Sequence, residues 1–286
     1  MTARRFLHTS LKWFGAFALV VGIVVCVRVF CIESYQISTQ SMEETLHQGD
    51  YILVNKIHDK KKSYQNKVIL FTSPLSRDSV NTPLFISRCI GMPGDTIRIN
   101  SEGYTVNGRK TPRSPYSLSS FFITLKYKDL LLKNLDKLHI PLRDYKKEEF
   151  GYMFSLTAFE EYQLREELSS DVNKHLVAQQ MQEYMLIVPQ KNKAYPLDAA
   201  SITACKEIIL NEAEGKASFR DGKLFLDGRE TNFFFFKQDY YWVLSDNINE
   251  AIDSRHLGFI PADHIVGNAW LCWYSENKQQ IFKTVK

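Results

Sequence analysis

The chain contains one long apolar run, followed by short segments in which apolar and polar positions alternate. The run extends from Trp13 to Ile32 and contains one charge, Arg28, near its end. Twenty helical residues rise about 30 Å, which matches the hydrocarbon core of a bilayer. Arg28 lies where its long side chain reaches the membrane interface. Because no later segment is as apolar, the pattern predicts a single transmembrane helix.

The charges that flank this run predict its orientation. Arg4, Arg5 and Lys12 precede the run without any acidic residue, which favours a cytoplasmic N-terminus (residues 1–12) and an exported remainder. A cleavable signal peptide is the alternative, with a shorter apolar core and a small-x-small site after it. The segment CVRVFCIESYQ offers no such site. The sequence therefore favours a permanent anchor.

Residues 33–120 and 215–286 have the composition of β-strands. Short β-branched and aromatic runs such as YILVNKI and YYWVLS are bounded by turn residues. Asn107-Gly108 and Asp227-Gly228 each separate two such runs, as turns do between paired strands, and Pro93-Gly94-Asp95 forms a turn between two further strands. These ranges predict a β core.

Residues 121–214 differ, because charges are more frequent and apolar residues recur at helical spacing. In TAFEEYQLREELSS the residues expected to form the apolar face of a helix are Phe159, Tyr162, Leu164 and Leu168. Thr157 and Glu160 form a capping-box pattern that would start this helix. SITACKEIILNE predicts a second helix, with Ser201 or Asp198 near its N-cap. The predicted fold is therefore mainly β with a mixed α/β insertion, plus one N-terminal transmembrane helix.

Composition excludes several classes of protein. The 286 residues are 44% hydrophobic and 13% aromatic, which is incompatible with wholesale disorder. The net charge of +4 is spread over segments of mixed sign, and Lys60-Lys61-Lys62 is the only basic cluster, so we expect no nucleic-acid partner. The five cysteines form no C-x-x-C pair and no metal spacing, and we expect neither metal nor cofactor. The sequence leaves open whether two of Cys89, Cys205 and Cys272 form a disulfide.

The candidate chemistry centres on Ser41, nine residues after the apolar run. A serine hydroxyl is a poor nucleophile at neutral pH and needs a neighbouring base. A desolvated lysine is an accepted alternative to histidine in this role. A serine this close to the bilayer, opening a strand-like segment, is a candidate for cutting peptides as they leave the membrane.

Three segments, QISTQSMEETLHQGD, FISRCIGMPGDTIRI and YYWVLSDNINEAIDSRHLGFIPADHIVGNAW, resemble the conserved boxes of type I signal peptidases. These are the Ser/Lys-dyad enzymes of bacterial export. The resemblance covers residues 1–110 and about 215–275, and FFFFKQDYYWVLSDN is similar to Bacteroidetes-type members. It implies Ser41 as the nucleophile and Thr39 as the hydroxyl that helps to hold the oxyanion. Ser38 and Glu44 replace two prolines of the first box. Its matching positions are Ser41-Met42, Thr45-Leu46 and Gly49-Asp50.

The second box of the family is K-R-x-I-G-x-P-G-D, and this chain matches it from Arg88 to Asp95. Ser87 occupies the position of the family lysine, and its hydroxyl is a far weaker proton acceptor. In the third box, Ser245 replaces a glycine, Ile248 an arginine and Ala251 the serine that orients the lysine. The matching residues of that box are Asp246, Asn247, Asp253, Ser254, Arg255 and Gly258. The base and its orienting residue are therefore missing together.

The resemblance also implies supporting roles. Asp253 and Arg255 would form an ion-paired brace beneath the site. Ile37 and Ile86 would line shallow pockets that admit small side chains of a substrate bound as an added strand. The residues expected to shape the turn of the second box are Gly91, Pro93, Gly94 and Asp95.

Other candidates for the base are weaker. Histidine serves as the base in the ER-type relatives, but His256 and His264 are expected to be surface or structural residues here. Lys56 and Lys67 are expected in strands of the β core, with structural or solvated roles.

Two main functions remain open. The first is a membrane-anchored serine endopeptidase that cleaves signal peptides from exported precursors. The second is a catalytically degenerate relative that binds peptide strands or assists an active paralogue. A structural envelope protein is a remote third. In each case the resemblance implies a single-pass protein of the bacterial cytoplasmic membrane, in contact with lipid, with its main domain in the periplasm.

Overall fold

The computed structural model describes residues 2–43, 45–57, 63–75, 82–100, 103–110, 115, 117–179, 183–247 and 251–285. For residues 2–12 and 199–200 only the backbone is described. Glu44, Lys60-Lys61-Lys62 and Ile248, all discussed above, lie outside the described residues.

The predicted transmembrane segment is helical. Helix α1 spans Thr2–Phe30, and its part Trp13–Phe30 is long and apolar enough to cross a membrane. The helix ends two residues before the apolar run does. Cys31 forms a turn, in which its N–H donates to the Val27 carbonyl, and Ile32 already pairs with Asn55 in the first strand. The end of the apolar run is thus used to connect the helix directly to the sheet.

The described residues form twenty-one strands and six α-helices. The strands of the described residues are β1 Ile32–Gln36, β2 Tyr51–Asn55, β3 Val68–Thr72, β4 Leu84–Gly91, β5 Thr96–Asn100, β6 Gly103–Val106, β7 Arg109–Lys110, β8 Leu118–Thr124, β9 Arg143–Lys147, β10 Gly151–Thr157, β11 Val177–Ala178, β12 Tyr184–Ile187, β13 Ala194–Pro196, β14 Ala217–Arg220, β15 Lys223–Leu226, β16 Arg229–Thr231, β17 Phe233–Phe235, β18 Tyr240–Leu244, β19 Ile260–Pro261, β20 Ile265–Tyr274 and β21 Lys283–Thr284. The further helices are α2 Lys128–Lys137, α3 Ala158–Glu167, α4 Ser170–His175, α5 Ala199–Glu212 and α6 Ser254–Leu257.

The largest sheet brings distant parts of the chain together. Its order is β1-β2-β20-β3-β4-β18-β19, with β21 added to β20, and every pairing is antiparallel. Side chains on one face, among them Ile52, Val54 and Leu70, form a buried cluster with Ile37. A mainly β fold is therefore confirmed.

The predicted turns are present in the hairpins. Asn107 and Gly108 both have positive φ between β6 and β7, as a tight two-residue hairpin requires. Asp227 and Gly228 adopt the same conformation between β15 and β16.

The first part of the insertion has its own core. Strands β11-β8-β10-β9 form a four-stranded sheet, and residues of α2, α3 and α4 pack against it. The capping box of α3 is confirmed, since Thr157 and Glu160 exchange both hydrogen bonds. The predicted apolar face was half wrong. Leu164 and Leu168 are buried, but Phe159 and Tyr162 are 66% and 63% exposed. At about 100° per residue the two pairs point to opposite sides of the helix.

The second part of the insertion packs against the β core. β12 pairs with β5, and α5 contributes Cys205, Ile208 and Ile209 to the core cluster that contains β5, β6 and β18. The N-cap of α5 is Asp198, whose carboxylate accepts from the Ser201 N–H.

The prediction that Lys56 and Lys67 fall within strands of the β core is wrong. Lys56 and Lys67 lie immediately outside β2 and β3, and Lys56 pairs with Glu33 at 3.0 Å. The structure contains no disulfide among Cys89, Cys205 and Cys272, because all five cysteines have free thiols.

Candidate functional site

A cleft of about 160 Å³ lies between the end of β1 and the start of β4. Ile37 and Ile86 form part of its walls, and Thr39 and Ser41 are among its polar lining residues. The structure therefore brings together four residues that the sequence singled out.

The loop that carries Ser41 is held by apolar anchors on one side and by hydrogen bonds on the other. Met42 and Leu46 are fully buried, and the Leu46 N–H donates to the Met42 carbonyl. Their spacing of four residues places both on the inner side of the turn. Ser41 is 6% exposed, so its hydroxyl reaches the cleft from a largely buried position.

The Ser41 hydroxyl has two neighbours. The Thr39 Oγ1 lies 3.0 Å from the Ser41 Oγ, and the Ser41 hydroxyl donates to the Ile86 carbonyl over a long 3.4 Å. If Ser41 donates its proton to Ile86, Thr39 must be the donor in the first contact, because a hydroxyl has a single proton. Ser41 is thus held weakly and is free to turn towards another acceptor.

Asn247 ties the third box to the first. Its backbone N–H donates to the Ser41 carbonyl at 3.0 Å, and its side-chain amide donates to the Gln40 carbonyl at 3.2 Å. Nearby, the Thr45 hydroxyl donates to the Asp246 carboxylate at 2.6 Å. These bonds fix the position of the Ser41 loop relative to the segment that follows β18.

Ser87 lies beside this loop and is fully buried. Its hydroxyl donates to the Ile86 carbonyl at 2.7 Å, the same carbonyl that Ser41 contacts, and its Oγ lies 2.9 Å from the Ser245 Oγ. Because the Ser87 proton is directed to Ile86, Ser245 is the donor in the contact between the two serines. Both hydroxyls are therefore engaged with each other or with the backbone.

A buried ion pair connects the second and third boxes. Arg88 donates to both carboxylate oxygens of Asp246, at 2.9 and 2.6 Å, and to the Asn66 carbonyl at 3.0 Å. Both side chains of the pair are less than 5% exposed. Such a two-pronged contact also fixes geometry, because the guanidinium fork matches the carboxylate.

Asp253 organises the end of the third box. Its buried carboxylate accepts from the Ser245 backbone N–H at 3.0 Å and from the Arg255 guanidinium at 2.9 Å. The adjacent Ser254 hydroxyl accepts from the Val243 N–H. Asp253 and Arg255 therefore form an ion pair.

The turn of the second box lies outside the cleft lining. Gly94 has a φ of +87°, and the Asp95 carboxylate caps the turn by accepting from the Met92 N–H. Position 91 requires glycine for a different reason, because a Cβ there would lie 2.2 Å from the Ile97 side chain. Pro93 stands between the two glycines.

The cleft lining contains no lysine or histidine among the residues that the structure describes. Tyr35 is the titratable side chain in the lining, and its hydroxyl donates to Glu33 at 2.8 Å. Burial, followed by the hydrogen bond to Glu33, raises the pKa of Tyr35 to about 12. At neutral pH this hydroxyl stays protonated and is a poor base.

The histidines considered above have contacts of their own. His264 Nδ1 lies 3.1 Å from the Thr72 Oγ1, and His256 Nδ1 lies 3.9 Å from the Asp253 carboxylate. Neither is part of the described cleft lining.

Several lining residues were missed by sequence reasoning. Leu84 lies two residues before Ile86 in β4, and Leu70 faces Ile86 from β3, so strand periodicity could have found both. Phe85 lies between Leu84 and Ile86, and alternation assigns it to the opposite face. Ile252 gave no signal, because the family pattern specifies no residue type at that position of the third box.

The cleft therefore holds a serine hydroxyl that follows closely, in sequence, on an apolar N-terminal helix. The sequence pattern of the family described as signal peptidase, peptidase S26, matches residues 10–274. The chain belongs to this family, which points to a serine peptidase of the signal peptidase I type that acts on precursors bearing signal peptides.

Individual relatives agree with this assignment. The chain is 23% identical over 280 residues to a signal peptidase I of Buchnera aphidicola subsp. Baizongia pistaciae, covering 91% of this chain and 75% of that protein. It is 27% identical over 268 residues to a signal peptidase I of Aquifex aeolicus, covering 90% and 81%. Signal peptidase I T of Bacillus subtilis is 28% identical over 116 residues, 40% of this chain and 57% of the relative.

Proposed function

We propose that this chain binds the signal-peptide region of exported precursors at the membrane surface and holds it without efficient cleavage. The observation that carries the proposal is the contact between Ser87 and Ser245. Ser87 stands where the family pattern has its lysine, and its hydroxyl is already engaged with Ser245 and the Ile86 carbonyl. A serine hydroxyl cannot take the proton of Ser41 as a neutral lysine would.

Two strand edges support binding of an extended peptide. β1 pairs with β2 on one side, and within the described chain no strand occupies its other side. β4 pairs with β3 from Leu84 onward, but β18 joins it only from Arg88. The cleft thus lies between two strand edges that no described strand occupies, and to which a peptide can add as a strand. Ile37 and Ile86 would then contact alternate side chains of that peptide.

The anchor would keep this cleft at the bilayer. In this proposal α1 crosses the bacterial cytoplasmic membrane with its N-terminus in the cytoplasm, in contact with lipid, and the β core lies in the periplasm. Protease added to spheroplasts should then digest the main domain and spare a tag placed before Thr2. Digestion of the tag with protection of the main domain would contradict this orientation.

Cleavage by this chain is the second candidate. Thr39 and Ser41 keep their hydroxyls 3.0 Å apart, which favours it. Ser41 would attack the peptide carbonyl, Thr39 and the Ser41 backbone N–H would hold the oxyanion, and water would accept the proton. Serine peptidases that lack one member of the catalytic group retain about 10³-fold rate enhancement over water.

One experiment distinguishes the two candidates. Purified full-length protein in detergent is mixed with a fluorescent precursor, and binding and cleavage are measured for wild type and Ser41→Ala. The proposal predicts binding by both proteins and no cleavage. Cleavage by wild type that disappears in Ser41→Ala would establish the second candidate instead. Failure to bind any signal peptide would contradict both and favour a structural role.

A non-cleaving binder would act together with an active signal peptidase. We expect the full-length chain to change the rate at which such an enzyme processes the same precursor, because both bind the same segment. Equal rates with and without a molar excess of this chain would exclude this partnership.

A further inference from the structure

The rim of the cleft is formed by two exposed apolar side chains. Leu84, at the start of β4, is 45% exposed, and Ile252 is 51% exposed; both line the cleft that holds Ser41. They come from segments far apart in sequence. Exposed apolar side chains at a cleft that also contains a reactive group are ready to contact whatever the cleft binds.

Both side chains stand on rigid supports. Ile252 lies between Ala251, which is 8% exposed, and Asp253, which is fully buried. The Asp253 carboxylate accepts from the Ser245 N–H and from Arg255, so the backbone beneath Ile252 is held in place. Leu84 is paired with Thr72 in the ladder between β3 and β4. A contact made by these side chains would need little ordering when a peptide binds.

The interior of the cleft is uncharged. Its deeper walls are formed by Ile37, Leu70 and Ile86, each at most 6% exposed. The polar groups of its described lining are hydroxyls and one amide, and no carboxylate, ammonium or guanidinium lines it. A charged side chain placed there would lose its hydration without gaining an ionic partner.

We propose that Leu84 and Ile252 are specificity-determining residues for the bound precursor. Together they hold one branched apolar side chain of the precursor, larger than alanine, and they select against a charged side chain at that position. This inference rests on the proposed precursor binding and adds to it a preference that the small pockets at Ile37 and Ile86 do not supply.

The test measures binding of fluorescent signal peptides to the full-length protein in detergent. The peptides form sets that differ only by leucine, alanine or aspartate at one position, scanned along the segment next to the cleavage site. At one position the leucine peptide should bind about tenfold more tightly than the alanine peptide, with the aspartate peptide weakest.

Variants identify the residues that are responsible. In Leu84→Ala/Ile252→Ala the dissociation constant of the leucine peptide should rise to that of the alanine peptide, which itself should change little. Leu142→Ala is the matched control, because Leu142 is 41% exposed and is not part of the described cleft lining. It should keep the preference for leucine, and Ile252→Val should keep most of it.

The outcomes separate this inference from the function on which it rests. A wild-type protein that binds no peptide would contradict the proposed function. Wild type that binds all three peptides of every set equally, or a double variant that keeps the full preference for leucine, would overturn the role of Leu84 and Ile252 alone. The unchanged affinity for the alanine peptide shows that the double variant is folded.

Discussion

The side-chain oxygens of Ser87 and Ser245 lie 2.9 Å apart, and both residues are buried. The resemblance to the family boxes implies a lysine at the first position and a glycine at the second. We propose that the two hydroxyls together occupy space that the resemblance assigns to the lysine side chain.

The hydroxyl pair should be energetically coupled. Ser245→Ala removes one buried hydrogen bond and should lower the free energy of unfolding by about 1 kcal/mol. Ser87→Ala should cost more, about 1–3 kcal/mol, because it leaves the buried Ser245 hydroxyl without this acceptor and removes the donor to Ile86. The double variant should cost less than the sum of the two. Unfolding of the full-length protein in detergent, followed by tryptophan fluorescence, measures all three.

Ser73 provides the control for this cycle. Its buried hydroxyl accepts from the Leu75 N–H, and its backbone lies opposite Pro83, four residues before Ser87. The costs of Ser73→Ala and Ser87→Ala should simply add. Additive costs in the Ser87/Ser245 cycle as well would show that the 2.9 Å contact contributes no coupling.

A lysine introduced at position 87 should need additional space for its longer side chain. Ser87→Lys alone should unfold at a lower temperature and cleave no precursor, because the longer side chain meets Ser245 in a buried space. With Ser245→Gly and Ala251→Ser added, precursor cleavage should appear and rise with pH as the buried lysine loses its proton. This activity should disappear when Ser41→Ala is added. Equal cleavage by the single variant would mean that Ser245 is no obstacle.

The Arg88–Asp246 pair should matter more to stability than any exposed pair. Asp246→Asn leaves the buried Arg88 guanidinium uncompensated, and breaking such a pair costs about 3–5 kcal/mol. Glu230→Gln is the matched control, because Glu230 and Lys223 form an ion pair at 2.7 Å with both side chains more than half exposed. The first variant should unfold several degrees below wild type, and the second should match it. Equal unfolding temperatures of the two variants would show that the ion pair does not stabilise the contact between β4 and the third box.

Local patterns predicted much of this fold. The apolar run predicted α1, and the turn residues Asn107-Gly108 predicted a hairpin, because both depend on neighbouring residues only. Spacing failed in α3, where Phe159 and Tyr162 were assigned to the face of Leu164 although helical geometry turns them away from it.

The sequence could predict only part of the candidate site. Motif order indicated that Ser41 and Ser87 belong together, and the structure places both at the Ile86 carbonyl. The contact of Ser87 with Ser245 depends on the pairing of β4 with β18, which are separated by more than a hundred residues. The place of Ile252 in the cleft depends on the same pairing. No local pattern encodes either contact.

Tyr35 should make stability depend on alkaline pH. Burial and the hydrogen bond to Glu33 raise its pKa from 10.0 to about 12 in the folded protein. Between these values the unfolded chain has lost the tyrosine proton while the folded protein keeps it, so stability falls as the pH rises from 10 to about 12. Below pH 10 the contribution is complete. Other tyrosines titrate in the same range, and comparison with Tyr35→Phe removes their common effect.

The measurement is thermal unfolding of the full-length protein in detergent at a series of pH values. The difference in unfolding temperature between wild type and Tyr35→Phe should be constant up to about pH 10 and should shrink above it. Tyr162→Phe is the control, because Tyr162 is 63% exposed on α3, and its difference from wild type should stay near zero throughout. A difference for Tyr35→Phe that does not change with pH would show that the folded protein does not hold the Tyr35 proton. The bond from Tyr35 to Glu33 would then not support the cleft wall.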